Sequence, residues 1–375
     1  MNLDRRAFLR GLSAASALPF IACGDETAGF GEQWLSAHGN GPFGVALLPR
    51  DGSDVLTLAT DFRGHDLAQN PRRPEQVVMF GRRPGTRAFV LDPLRAAGTG
   101  GFGASPGRSM MGHGFFSPDG ERIYTAEADN ESGAGALVSR RADDWQIIEA
   151  IPTEGIGPHQ AILLDDGDTA VVANGGILTR PESGREKLNL DTMRSTLTYI
   201  SLESGTVIAS ETVRESKASI RHLEADSSGT VALGLQIQRE AMESDTVVSL
   251  AGVHRLGEPI ELFDDGLEVM GAMNDYVGSV AVASKSRVAG FTSPRGSVVA
   301  FWHLDSGAHL ATHQLNDVSG ITVSSDGQTF IVSSSTGEVR QLDCTTLEEL
   351  PSRRRRLDGV RWDNHLITVT AGGLL

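Results

Sequence analysis

One shape recurs along this chain every 40 to 60 residues or so, roughly the spacing of four-stranded propeller blades, and it constrains the fold more than any other feature. Each copy opens with a short apolar strand, turns at Asp-Gly or Ser-Gly, and continues into further alternating strands. Arg63-Gly64-His65-Asp66 leads to QVVMFGRRPG and TRAFVLD. Gly112-His113-Gly114 passes through Asp119-Gly120 into ERIYTAEA. Gly157-Pro158-His159-Gln160 passes through Asp166-Gly167 into DTAVVANGG, LTYISL and TVIASETV. Ile220-Arg221-His222-Leu223 passes through Ser228-Gly229 into TVALGLQIQ. Three more units keep the shape and read as lacking the leading histidine: GSVAVASKSRVAGFTSPRGSVVAFWHLDSG, SGITVSSDGQTFIVSSSTGEVRQLD and LDGVRWDNHLITVT.

Seven such units predict an all-β fold, a seven-bladed β-propeller. The last unit has room for two strands. FGVALLP and DVLTLATD, near the N-terminus, supply the two it lacks, so N- and C-terminal strands pair in one blade and close the ring. Composition agrees: 44 Gly against 14 Phe, 4 Trp and 3 Tyr suits short strands and many turns better than a helical bundle. The propeller is expected over residues 38–375, preceded by a linker over 23–37.

Residues 1–22 read as an export signal. Arg5-Arg6-Ala7-Phe8-Leu9-Arg10 and the uncharged stretch from Gly11 to Ala22 form a basic segment followed by an apolar segment too short to span a bilayer. The arginine pair with Phe8-Leu9 resembles the twin-arginine signal, which implies export of a folded protein to the periplasm. Phe20-Ile21-Ala22-Cys23-Gly24 resembles a lipobox that would lipidate Cys23. The same residues also suit ordinary cleavage, and both readings stand. Any membrane attachment would come through that lipid. Cys344 is the only other cysteine, so there is no internal disulfide framework.

The formal net charge is −15, and loss of residues 1–22 would leave about −17. A surface that acidic repels phosphate backbones, which argues against nucleic acid as a partner. The single basic run, Arg353 to Arg356, is expected to be a solvated loop.

In a propeller the innermost strand of each blade lines the central channel. His65, His113, His159 and His222 hold the same slot in four consecutive units and are therefore candidate metal ligands at one mouth of that channel. Imidazole suits iron, copper, zinc and nickel, and Asp66 could orient a ligand from behind. The other reading is structural: a Gly-His pair can bracket a blade by hydrogen bonding, as it does in WD-repeat blades. His38, His254, His303, His313 and His365 read as isolated surface or packing residues. Asn174 opens the longest insertion, ILTRPESGREKLNLDTMRST. Arg185, Lys187, Asn189 and Asp191 make that insertion polar, so it either caps the mouth near His159 or is a surface excursion.

Other motifs fail on context. Gly98 to Gly103 matches G-x-G-x-x-G, and Gly103-Ala104-Ser105-Pro106-Gly107 matches G-x-S-x-G. Both lie in one glycine-rich stretch without the required strand-to-helix setting. Glu127, Asp129, Asn130 and Glu131 lack regular calcium-ligand spacing. No serine or cysteine nucleophile sits with a credible base, which argues against hydrolase chemistry.

RGHD, GHGFFSPDG, GPHQ, VANGGI, GREKLNLDTM and SIRHL together resemble a family of exported bacterial propellers of unknown function. The motifs cover His65 to Gln238, and the blade pattern covers the remainder. Members are often encoded beside imelysin-type and di-haem thiol-oxidoreductase-like proteins, in clusters associated with periplasmic iron or copper. The resemblance thus implies an iron or copper context and a periplasmic protein partner of one of those kinds. The family's loop after VANGGI carries Thr-His-Pro where this chain has Thr179-Arg180-Pro181, so any role of that histidine is altered here. The combined expectation is a non-enzymatic propeller that binds a partner or a metal at the histidine-lined mouth. The alternative is an iron or copper oxidoreductase that uses the four histidines as its metal shell.

Overall fold

The computed structural model describes residues 31–39 and 41–371, so the export signal and Cys23 lie outside the described residues. Seven four-stranded antiparallel sheets surround a central axis. The innermost strands, in chain order, are Gly64–Gln69, Arg108–Phe116, Pro158–Leu163, Ala218–Ala225, Ser279–Ala283, Val318–Val323 and Ile367–Val369. Each packs against its neighbours around the ring. Among the described residues one short α-helix, Leu267–Ala272, interrupts the all-β pattern, and no helix is long and apolar enough to cross a membrane.

The sequence pattern explains the radial order. Strands inside a blade are covered on both faces by adjacent blades and read as unbroken apolar or small-residue runs: Val77–Gly81, Thr169–Asn174 and Val288–Ser293 are buried throughout. Outer strands cover one face only, so Thr206–Thr212 and His309–Gln314 alternate between exposed and half-buried. Apolar contacts knit blade to blade, as where Phe301 meets Ile321, Phe330 and Val332. The Asp-Gly turns are built by side-chain capping: Asp119 accepts from the Glu121 N–H and the Ser117 hydroxyl, and Gly120 takes a φ of 68°.

The ring closes as the sequence predicts, by pairing N- and C-terminal strands in one blade, but with three strands from the N-terminal side and one from the C-terminal side instead of two and two. One C-terminal strand, Ile367–Val369, joins three N-terminal strands, Gln33–His38, Phe43–Pro49 and Leu56–Thr60. Gln33, Trp34 and Leu35 pair with Val369, Thr368 and Ile367. The propeller therefore starts at Gln33, inside the segment 23–37 read as a linker. Trp34, Leu35 and Ala37 are buried and hold that strand in the core. The arginine run also differs: Arg355–Arg356 forms a two-residue outer strand on Glu338-Val339, and Arg354 pairs with Glu349.

Candidate functional site

The innermost strands do not pair evenly with their neighbours. Register breaks fall between Gly64 and Leu67, Met110 and Gly114, Pro158 and Ala161, and Ile220 and His222. A bulge frees residues from the ladder and re-aims their side chains. His65, His113 and His159 lie within three of these breaks, and His222 closes the fourth. All four turn inward and are buried. Gly112 makes room for this at a φ of 100°, where a Cβ would lie 2.5 Å from Cδ2 of His65.

A fifth histidine completes the cluster. His365, read from sequence as a packing or surface residue, is buried on the axis beside the others. Its ring centroid lies 4.6 Å from that of His65, 4.7 Å from that of His113 and 4.8 Å from that of His222. His113 is 4.8 Å from both His65 and His159, and His159 is 4.9 Å from His222. Two three-histidine groups bring their ligand atoms within 4.8 Å of one another: His65, His113 and His365, and His113, His159 and His222. His113 belongs to both.

The rings are held from behind by side chains of other blades. Nδ1 of His113 lies 2.9 Å from Oδ2 of Asp66, which comes from the preceding blade. Burial alone would raise the Asp66 carboxyl, but the hydrogen bond to His113 and the nearby imidazoles hold it below its usual value. As a carboxylate it accepts the Nδ1 proton, which fixes the ring of His113 from behind. Gln160 stands to His222 as Asp66 stands to His113, with Oε1 3.4 Å from Nδ1 while it also accepts the Leu223 N–H. Nδ1 of His365 lies 3.4 Å from the Ser279 hydroxyl, and Nδ1 of His65 lies 3.7 Å from a carboxylate oxygen of Asp363. Four buried ring nitrogens have no hydrogen-bond partner: Nδ1 of His65, Nε2 of His113, Nδ1 of His159 and Nε2 of His365. Burial, reinforced by neighbouring imidazoles, pushes His65 and His222 well below the usual imidazole range. Burial and the adjoining His113 do the same for His159, and burial takes His365 down to about 3. These rings are neutral at physiological pH, the form in which imidazole binds metal.

A cavity of about 330 Å³ opens on this cluster at His65, His159 and His222. The insertion after Asn174 covers it through Ile177, Thr179, Arg185 and Lys187. Asn189 staples that loop by accepting the Leu178 N–H and donating to the Gly176 carbonyl. Asn174 itself lies away from the mouth. It is buried in a lattice with Thr153, Thr196 and Thr198, because a strand-end amide in the core must satisfy both its donors and its acceptor. Glu127 is likewise structural, paired with buried Arg140 at 2.7 Å.

The family described as "Protein of unknown function (DUF1513)" matches residues 58–369. The chain belongs to this family. No curated protein matches the sequence. Among solved structures, this DUF1513 chain is similar to the Kuenenia stuttgartiensis hydrazine synthase, with a TM-score of 0.63 and 14% identity over 81% of this chain and 90% of that one. At that identity the likeness shows the fold alone.

Sequence reasoning found Arg185 but missed His365, Asp363 and the other arginines around the cavity. A signal existed for His365: it stands two residues before Ile367, as His65 stands two before Leu67 and His159 two before Ala161. Arg82-Arg83 and Arg221 lay inside the motifs already recognised.

Proposed function

We propose that this propeller is an exported, periplasmic metal-binding protein that holds a first-row transition ion, iron or copper, with the histidines on its axis. The observation that carries the proposal is the five buried imidazoles, four of whose ring nitrogens lack any hydrogen-bond partner. A buried unsatisfied polar group costs about 1–3 kcal/mol, so a chain that gathers four of them in one place gains from a ligand that accepts their lone pairs. A metal does so. With a metal–nitrogen distance of about 2.1 Å, tetrahedral ligand nitrogens stand about 3.4 Å apart. The observed spread of up to 4.8 Å therefore closes if the rings draw in towards the ion by up to about 1 Å. Asp66 and Gln160 supply the rear support that metal-ligating histidines use to fix tautomer and orientation.

The twin-arginine motif supports the periplasmic setting, and Cys23 supports a lipid tether. The family resemblance supports an imelysin-type or di-haem protein as partner. The cavity favours a second reading. It reaches His65, His159 and His222, so an ion held by three histidines would keep a position open to a small molecule, as an oxidoreductase requires.

The test is the metal content of protein exported by its own signal, beside a His113→Ala, His159→Ala double variant. Near-stoichiometric iron or copper in the wild type, lost in the variant, supports the site. A metal-free wild type with a variant that is merely less stable would make the histidines structural.

A further inference from the structure

The cavity above the histidines has a charge opposite to that of the chain as a whole. Six cationic side chains line it (Arg82, Arg83, Arg185, Lys187, Arg221 and Arg295) with no Asp or Glu among its walls, in a protein of net charge −15. Two of the six are neutralised. Arg82 reaches Asp363 at 2.8 Å, although Asp363 is shared with Arg63, and Lys187 pairs with Glu240 at the rim. Arg83, Arg185, Arg221 and Arg295 make no ion pair among the described residues.

Arg221 is the sharpest case. It is 3% exposed, and its Nε has no hydrogen-bond partner. Arg83 is lowered to about 10 by burial and by Arg185. Folding thus brings like charges together in a partly enclosed space, and among the described residues no carboxylate pairs with Arg83 or Arg221. Tyr276 adds a directed group: it accepts from the Asn364 amide at 2.9 Å, so its own O–H is free to donate, and Arg295 stacks on its ring at 4.8 Å.

We propose that this cavity is a binding site for a small multivalent oxyanion, whose carboxylate or phosphate oxygens engage the Arg83, Arg185 and Arg221 guanidiniums while its far side meets the histidine edges. Guanidinium forks match such oxygens in bidentate geometry, and a low-dielectric cavity of one sign concentrates a ligand of the other. The volume of about 330 Å³ admits a di- or tricarboxylic acid and excludes a nucleic-acid chain. The inference rests on the cations and not on a bound metal.

The experiment uses chelator-treated mature protein at constant ionic strength. Phosphate, sulfate and citrate are titrated by calorimetry against wild type, Arg185→Gln, Arg221→Gln and Arg122→Gln, the last an arginine outside the cavity. Saturable binding of at least one anion is expected, weakened about tenfold or more in both cavity variants and kept in Arg122→Gln. Preference for citrate over phosphate marks an organic acid site, and the reverse marks an inorganic one. If no anion saturates the wild type at about 10 mM, where even a millimolar site would fill, the proposal is overturned. It is equally overturned if Arg185→Gln, on a surface loop and safe for folding, binds as tightly as wild type. An equal loss in Arg122→Gln would also overturn it.

Discussion

His113→Ala separates a cluster built around a shared ligand from five independent histidines. His113 is the one residue common to both three-histidine groups, so its loss leaves neither group complete. His365→Ala leaves His113, His159 and His222 intact, and His222→Ala leaves His65, His113 and His365. A four-ligand structural zinc site is worth about 10–16 kcal/mol in total, hence about 2.5–4 kcal/mol for each ligand. His113→Ala should therefore weaken metal affinity by about two to three orders of magnitude, and either peripheral variant by about tenfold or less. Competition against a chromophoric chelator measures each Kd, with far-ultraviolet circular dichroism to confirm that the variants fold. The reasoning is refuted if His113→Ala and His365→Ala lose the same affinity, or if His113→Ala binds as wild type does.

Asp66→Asn removes the carboxylate behind His113 without removing a ligand. It should cost about 10–100-fold in metal affinity with the fold intact, read in the same competition assay. Glu127→Ala leaves buried Arg140 without its partner and should destabilise the protein by about 3–5 kcal/mol in denaturant melts; a loss below about 1 kcal/mol would contradict the pairing. His254 accepts the Tyr199 hydroxyl at Nδ1 and meets the Glu258 carbonyl at Nε2, and burial lowers its pKa in spite of that carbonyl. Below about pH 6.5 the unfolded chain binds a proton there that the folded chain refuses, so stability falls with pH by at most about 1.4 kcal/mol per unit from this group. Urea melts between pH 7.5 and 5.5 should show a shallower fall in His254→Gln than in wild type.

The blades and four of the histidines were legible because strand alternation and Asp-Gly turns are local signals, and because the leading histidines hold one slot in successive repeats. Glycine precedes two of them, in Gly64-His65 and Gly112-His113, at two of the four bulges. His365 follows Asn364 and precedes a strand only three residues long, so its one local signal, the two-residue spacing to Ile367, was weak. The strand QWLSAH was lost because Gln33, Ser36 and His38 interrupt its apolar run, although it pairs with neighbouring Phe43–Pro49 as well as with Ile367–Val369 at the far end of the chain. The cationic cavity was hidden by averaging. Its arginines come from separate blades and from a loop, and a net charge of −15 reports the outer surface that dominates the count.

Placing the cluster on the axis ties the site to closure of the ring. His113, His159 and His222 come from three consecutive blades and can assemble as those blades stack. His65, His113 and His365 need the last strand, because His365 and Asp363 arrive only when Ile367–Val369 pairs with Gln33–Leu35. Asp363 then accepts from both Arg63 and Arg82 and approaches Nδ1 of His65, so one carboxylate delivered by the C-terminus neutralises the first blade after the closure. An ion that bridges to His365 would bind the closed ring and not the open one, and by mass action it would stabilise closure. Metal should thus raise the unfolding midpoint of wild type by more than that of His365→Ala. Equal shifts in the two proteins would place the ion wholly within the His113, His159 and His222 group.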